Sequence, residues 1–246
     1  KTLKMKMILL FLISINLFQL IQCLDQNERD GLRMLQRQFV PDWFGWDGEP
    51  SCEWKGVVCD FANHVQRIHL GNLRKSKSTL PYLFDSFPFL TVLDFQNNML
   101  YGTIPVHFER MSNLKYLDLS SNSFSGVIPS HLANLNQLSS LNLSKNQLFG
   151  VVPKQFENLK MLKQLSIQEN RIRGTIPQAL EQSSVLTQLI IFPGNKALEH
   201  KNNPDFDKKN AINYDAKPAH STASAQECRA KRLTKPGIHP NPFLAL

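Results

Sequence analysis

LTVLDFQNNMLYGTIP (90–105), LKYLDLSSNSFSGVIP (114–129), LSSLNLSKNQLFGVVP (138–153) and LKQLSIQENRIRGTIP (162–177) are one phrase written four times. Apolar residues recur at fixed places in it, and Asn98, Asn122, Asn146 and Asn170 stand 24 residues apart. A period of this length identifies a solenoid: one repeat is one rung, it cannot bury its apolar face alone, and stacking of neighbours makes the core. Agreement at so many places over four copies excludes an accident of composition.

Each place has its own chemistry. Leu93-Asp94-Phe95 and Leu117-Asp118-Leu119 alternate apolar and polar, which predicts a short strand with one side chain inward and the next outward. Stacked rungs then form a parallel sheet. The four asparagines point inward, where they donate to and accept from backbone groups that the turn would leave buried and unpaired. Gly102, Gly126, Gly150 and Gly174 follow where a reversing backbone needs positive φ. Pro105, Pro129, Pro153 and Pro177, which lack an N–H, end the extended segment before them. Phe108, Leu132, Phe156 and Leu180 form a second apolar set for the convex side.

The Leu-x-Gly-x-Ile-Pro half of the phrase resembles plant-type extracellular leucine-rich repeat proteins, such as the ectodomains of leucine-rich repeat receptor-like kinases. The resemblance implies an α/β solenoid, a right-handed leucine-rich repeat superhelix with a parallel concave sheet. Short convex 3₁₀ or extended segments and an N-terminal helical cap with a disulfide complete it. The first rung, from Val65 through Ile68 and Leu70, keeps the strand and then meets the basic stretch Arg74-Lys75-Ser76-Lys77. A sixth begins at Leu186, Leu189 and Ile191 and breaks at Phe192-Pro193-Gly194-Asn195. Terminal repeats are commonly atypical because they cap the stack.

Lys1, Lys4 and Lys6 precede an apolar run from Met7 to Cys23, the pattern of a secretory signal peptide, with cleavage expected after Cys23 and Met5 or Met7 as initiator. A membrane anchor competes, but Ser14, Asn16, Gln19 and Gln22 interrupt a run already short for spanning. Asp25 to about Phe39 reads as an amphipathic helix, with Asp25-x-x-Glu28 as a capping-box-like start and Leu32, Leu35 and Phe39 on one face. Cys52-Glu-Trp54-Lys-Gly56-Val-Val-Cys59 resembles the Cys-x-Trp-x-Gly-Val-x-Cys cap of plant repeat receptors. In a secreted chain this pair reads as a disulfide, since a metal site would want a further His or Cys at ligand spacing. Phe192-Pro-Gly-Asn-Lys-Ala-Leu198 resembles a closing phrase of such ectodomains, but Glu199 and His200 stand where its Cys and Gly are expected. The C-terminal disulfide is therefore missing, and Leu189, Ile190, Ile191 and Phe192 are expected to be exposed. Cys228 is left alone, in a stretch whose Lys, Pro, Ser, Asn and Ala predict disorder. The expected division is a signal peptide over 1–23, a cap over 24–62, five to six rungs over 63–195 and a disordered tail over 196–246.

The formal charge of +8 sits mostly at the ends: residues 24–195 carry 16 basic against 15 acidic side chains, and 196–246 carry 9 against 5. A near-neutral domain without a nucleic-acid motif lacks the electrostatic footprint of a DNA or RNA binder. The chain has no Gly-rich phosphate loop, no Gly-x-Ser-x-Gly and no paired-His motif, so neither an enzyme nor a cofactor is expected. Asp94 and Asp118 on neighbouring rungs suggest paired carboxylates, yet Asp between the strand leucines is ordinary in this repeat.

The outward residues of the concave sheet are the candidate binding strip. They are Thr91, Val92, Asp94, Gln96 and Asn97; Lys115, Tyr116, Asp118, Ser120 and Ser121; Ser139, Ser140, Asn142, Ser144 and Lys145; and Lys163, Gln164, Ser166, Gln168 and Glu169. A polar strip with one aromatic suits hydrogen bonding to a peptide or protein, including a partner receptor ectodomain. Asn142-Leu-Ser144 is a glycosylation sequon in the middle of it. The resemblance implies an extracellular recognition module for cell-surface signalling or defence. Inhibition of a cell-wall-degrading enzyme, in the manner of polygalacturonase inhibitors, is the alternative, and those have about twice the rungs. Ice binding by a repeat face is a third reading, for which Thr103 and Thr175 share a place that Val127 and Val151 fill between them. After the repeats no apolar run of about 20 residues follows, so a C-terminal membrane span is not expected.

Overall fold

Each repeat makes two short strands and one helical turn. The computed structural model describes residues 24–39, 44–73, 78–80, 83–195 and 197–199. All lie in the first of two units, Lys1–Asn210, and the second, Ala211–Leu246, is outside the described residues. The chain runs α1 (Gln26–Phe39), β1 (Val57–Cys59), β2 (Val65–His69), β3 (Ser78–Thr79), β4 (Val92–Asp94), β5 (Leu100–Gly102), β6 (Tyr116–Asp118) and β7 (Ser123–Val127). It continues with β8 (Ser140–Asn142), β9 (Gln147–Gly150), β10 (Gln164–Ser166), β11 (Arg171–Thr175), α2 (Gln178–Glu181), β12 (Gln188–Ile190) and β13 (Ala197–Glu199). Leu83–Ser86, Val106–Arg110, Ser130–Asn134 and Lys154–Asn158 are 3₁₀ turns. Pro105, Pro129 and Pro153 stand at the N-caps of the last three, extended, with Phe108, Leu132 and Phe156 buried beneath.

A seven-stranded sheet in the order β1-β2-β4-β6-β8-β10-β12 lines the concave side, parallel except for β1 against β2. Its register aligns Ile68, Leu93, Leu117, Leu141, Leu165 and Leu189 in one buried column. The phrase also makes something the alternation did not announce, a second sheet in the order β13-β11-β9-β7-β5-β3. The glycines expected at a chain reversal lie in or at the end of its strands instead. Gly126 has φ +85, and a Cβ there would stand 3.0 Å from Thr103 Cγ2. It therefore serves both the left-handed backbone and the close seating of the previous rung.

The asparagine ladder ties rung to rung. Asn146 Nδ2 donates to Leu143 O of its own turn (3.1 Å) and to Leu119 O of the preceding rung (3.0 Å), while its Oδ1 accepts from Phe124 N (3.0 Å). Asn98, Asn122 and Asn170 repeat the pattern. Asn195 joins them: fully buried, it donates to Ile167 O and Ile191 O at 2.8 Å and accepts from Ile172 N at 3.0 Å.

At the N-terminus Asp25 Oδ1 accepts from Asn27 N at 2.8 Å and caps α1. Glu28 leaves the expected capping box. It is buried, and its Oε1 accepts from Val65 N at 2.9 Å, so the helix hands an acceptor to the first parallel strand. Cys52 and Cys59 form the expected disulfide, with Cα atoms 5.7 Å apart. Trp54 is buried and stacks on Trp46 with centroids 4.6 Å apart.

The other end departs from expectation. Leu189 and Ile191 are buried, Ile190 and Phe192 half-buried, and Ala197–Glu199 form a strand parallel to Arg173–Thr175. A strand thus follows residue 195, inside the stretch expected as tail. Asn195 precedes that strand and makes the ladder's bonds once more. The expected signal peptide, Arg74–Lys77, Cys228 and the tail beyond Glu199 lie outside the described residues. Among the described residues no helix is long and apolar enough to cross a membrane.

Candidate functional site: the concave strip

The strand register sorts the expected strip into columns that differ sharply in accessibility. Thr91, Lys115, Ser139 and Lys163 form the outer column; Lys115 and Lys163 are exposed, whereas Thr91 Oγ1 donates to Gln66 O and Ser139 Oγ to Lys115 O. Val92, Tyr116, Ser140 and Gln164 come next in register. Gln164 is exposed and its Oε1 accepts from Ser140 Oγ at 3.1 Å.

The third column holds the correction. Asp94 is 7% exposed and Asp118 0%, so these two carboxylates lie beneath the surface. Asp118 Oδ1 accepts from Ser120 N (2.9 Å), and its Oδ2 accepts from Tyr116 Oη (3.1 Å) and Asn142 Nδ2 (3.0 Å). Asp94 holds its turn likewise, through Gln96 N at 3.0 Å and Gln96 Nε2 at 3.3 Å. Side-chain alternation points these aspartates outward, but they bend onto the backbone two residues on, as Asp does in Asx turns, and their neighbours close over them. Burial pushes the Asp118 carboxyl above the usual carboxylate range; hydrogen bonds from Ser120 and Asn142 oppose this and the charge of Asp94 adds to it. Burial, followed by the charges of Asp118 and Asp94, also pushes the Tyr116 hydroxyl up. Both groups serve the fold, and the paired-carboxylate reading loses its accessible pair.

Asn142 is half-buried: Nδ2 binds Asp118, and Oδ1 accepts from Ser144 Oγ at 2.8 Å. Gln168 is half-buried, and its Oε1, shielded from solvent, has no hydrogen-bond partner among the described residues. Lys145 faces Glu169 at 3.6 Å. With Asp94 and Asp118 removed from view and Lys145 facing Glu169, Lys115 and Lys163 are the exposed charges of these columns that make no ion pair among the described residues. The register extends the strip to Arg67 and His69 on β2, the latter with Nδ1 3.7 Å from Asp94 Oδ2, and to Thr187 and Gln188 at the last rung. Counting the leucine spacing outward from the good repeats would have found them. Among the described residues no group of three His, Cys, Asp or Glu is placed to hold a metal ion.

Residues 88–148 and 137–195 match the family model of the leucine rich repeat. No curated protein sequence matches the chain. Among solved structures, the ectodomain of the receptor kinase SOBIR1 from Arabidopsis thaliana is similar at 27% identity and TM-score 0.62, over 72% of this chain and 97% of that one. A chain of the BIR3–SERK2 complex from Arabidopsis thaliana is similar at 29% identity and TM-score 0.52, over 61% of this chain and 76% of that one. A plant ice-binding protein is similar at 27% identity and TM-score 0.63, over 73% of this chain and 58% of that one. Residues 88–195 are thus leucine-rich repeats, stacked in a fold shared with the ectodomains of plant receptor kinases.

Proposed function

We propose that this chain is an extracellular recognition module of the plant leucine-rich repeat receptor kinase type, non-catalytic in itself, whose concave strip takes a peptide or a partner receptor ectodomain. The observation that supports this reading most is the strip itself: an in-register parallel sheet that presents exposed Lys115, Lys163 and Gln164 while the carboxylates of Asp94 and Asp118 are sunk and Glu169 faces Lys145. Fixed polar groups on a rigid sheet lose little freedom on binding and read a partner by hydrogen bonds and charge. Two exposed ammonium groups two rungs apart favour a partner that is acidic at the matching places. The similarity to nearly the whole SOBIR1 ectodomain supports a short receptor-type module, and the BIR3–SERK2 similarity supports a protein partner. The same resemblance supports a cell-surface or apoplastic role in signalling or defence.

The test is a binding screen of the full chain against plant receptor ectodomains, secreted plant peptides and a polygalacturonase. Saturable binding to an ectodomain or peptide is expected. Binding to the polygalacturonase alone would replace this reading with that of an enzyme inhibitor.

A further inference from the structure

The second sheet has an outer face that the concave reading leaves unused. On it Met99, Tyr101, Val127, Phe149 and Val151 are each about half exposed, from 45% at Tyr101 to 54% at Val127. The concave strip has no side chain of this kind: Val92 and Tyr116 are half-buried. The register sets Val127, Phe149 and Arg171 in one row across three neighbouring strands, with Val151 just past the end of the middle one, while Tyr101 pairs with Ser123 off that row. The glycines close the gaps between rungs: a Cβ at Gly150 would stand 3.0 Å from Val127 Cγ1, and one at Gly174 3.1 Å from Val151 Cγ1. Each valine thus lies against the next rung. Arg171 and Arg173 are exposed on the adjoining strand, and neither makes an ion pair among the described residues.

We propose that this outer face is a second protein-docking surface, separate from the concave strip, which takes a partner segment carrying acidic beside aromatic or aliphatic side chains. Contiguous exposed apolar surface on a soluble protein marks an interaction site. An apolar patch beside two arginines asks for a carboxylate next to an apolar anchor, since guanidinium holds carboxylate in a two-bonded fork. The cations stand at one end of the face. An anionic polysaccharide would leave Phe149 and the valines unused, and an anionic membrane would call for cations around the whole rim.

The probe is a synthetic twelve-residue peptide alternating aspartate with phenylalanine or leucine, labelled and titrated with the full chain. Two controls accompany it, a peptide with lysine in place of aspartate and vesicles containing phosphatidylserine. Saturable binding is expected for the acidic peptide, weakened about tenfold or more both by Phe149→Ser and by Arg171→Glu with Arg173→Glu. Lys154→Glu, on a 3₁₀ turn elsewhere, should leave it unchanged. All these positions are exposed, so unchanged urea midpoints will show that the variants fold. The proposal is overturned by no saturable binding, by equal binding of the lysine peptide, or by vesicle binding without peptide binding. It is equally overturned if Lys115→Glu with Lys163→Glu abolishes peptide binding while the face variants do not.

Discussion

Asn146 satisfies three buried backbone groups with one side chain: Leu143 O of its own rung, and Leu119 O and Phe124 N of the rung before. Asn146→Ala leaves Leu119 O, Leu143 O and Phe124 N unpaired in an apolar interior, and each orphan costs about 1–3 kcal/mol. We expect a loss of about 3 kcal/mol or more in urea unfolding, with partial relaxation keeping it below the full sum. Asn195→Ala should cost a similar amount, although its place, 25 residues from Asn170, breaks the period. That extra residue is why spacing alone did not reveal it as a ladder member. Asp118 was illegible for another reason. Alternation gives the direction in which a side chain leaves the strand, whereas its burial depends on Tyr116 and Asn142 closing over it. Glycosylation at Asn142 remains our proposal, because an amide carries two hydrogens and a glycan on one leaves the other for Asp118. Asn142→Gln should then remove a gel-mobility increment from the protein expressed in plant cells; an unchanged mobility leaves Asn142 with its structural role alone.

At the scale of the element, the second sheet explains why the phrase wants glycine. At Gly150 φ is +86, and an added Cβ would stand 3.0 Å from Val127 Cγ1. Gly150→Ala should therefore destabilise by about 1–2 kcal/mol from the left-handed backbone alone. Val127→Ala in the same chain relieves the contact and should restore only part of the loss. A double-mutant cycle in urea measures the coupling, and strict additivity would show that the two residues do not touch. The sequence reading found the glycines and their positive φ but placed them at a reversal, because the alternation of three or four residues is too short to announce a strand. The helix α1 was legible from its apolar spacing. The use of Glu28 to hold Val65 N was not, since it joins residues 37 apart.

Over the whole molecule, two buried carboxyls set a pH dependence of known sign. Burial pushes Glu28 and Asp118 above the usual carboxylate range in the folded state. The folded chain therefore binds protons that the unfolded chain releases, and stability falls as pH rises. The contribution is fully present below the ordinary carboxylate pKa of about 4 and is lost as pH rises through the raised folded values. The chain should melt higher in mildly acidic solution than at neutral pH, and Asp118→Asn should flatten that slope. A stability that climbs from pH 5 to pH 7, with Asp118→Asn making no difference, would contradict the assignment. The solenoid, its N-terminal disulfide cap and the line of the concave strip were all legible from spacing and resemblance. The sign of the strip's exposed charge was hidden until burial removed Asp94 and Asp118 from it.

The central claim is that recognition happens on that strip, and Lys115 and Lys163 test it most directly. For the ectodomain or peptide partner found by screening, affinity should be measured for the full chain with and without Lys115→Glu and Lys163→Glu together. The account predicts a loss of at least about tenfold, or 1.4 kcal/mol, with an unchanged urea midpoint. An unchanged affinity in the charge-reversed chain would contradict it.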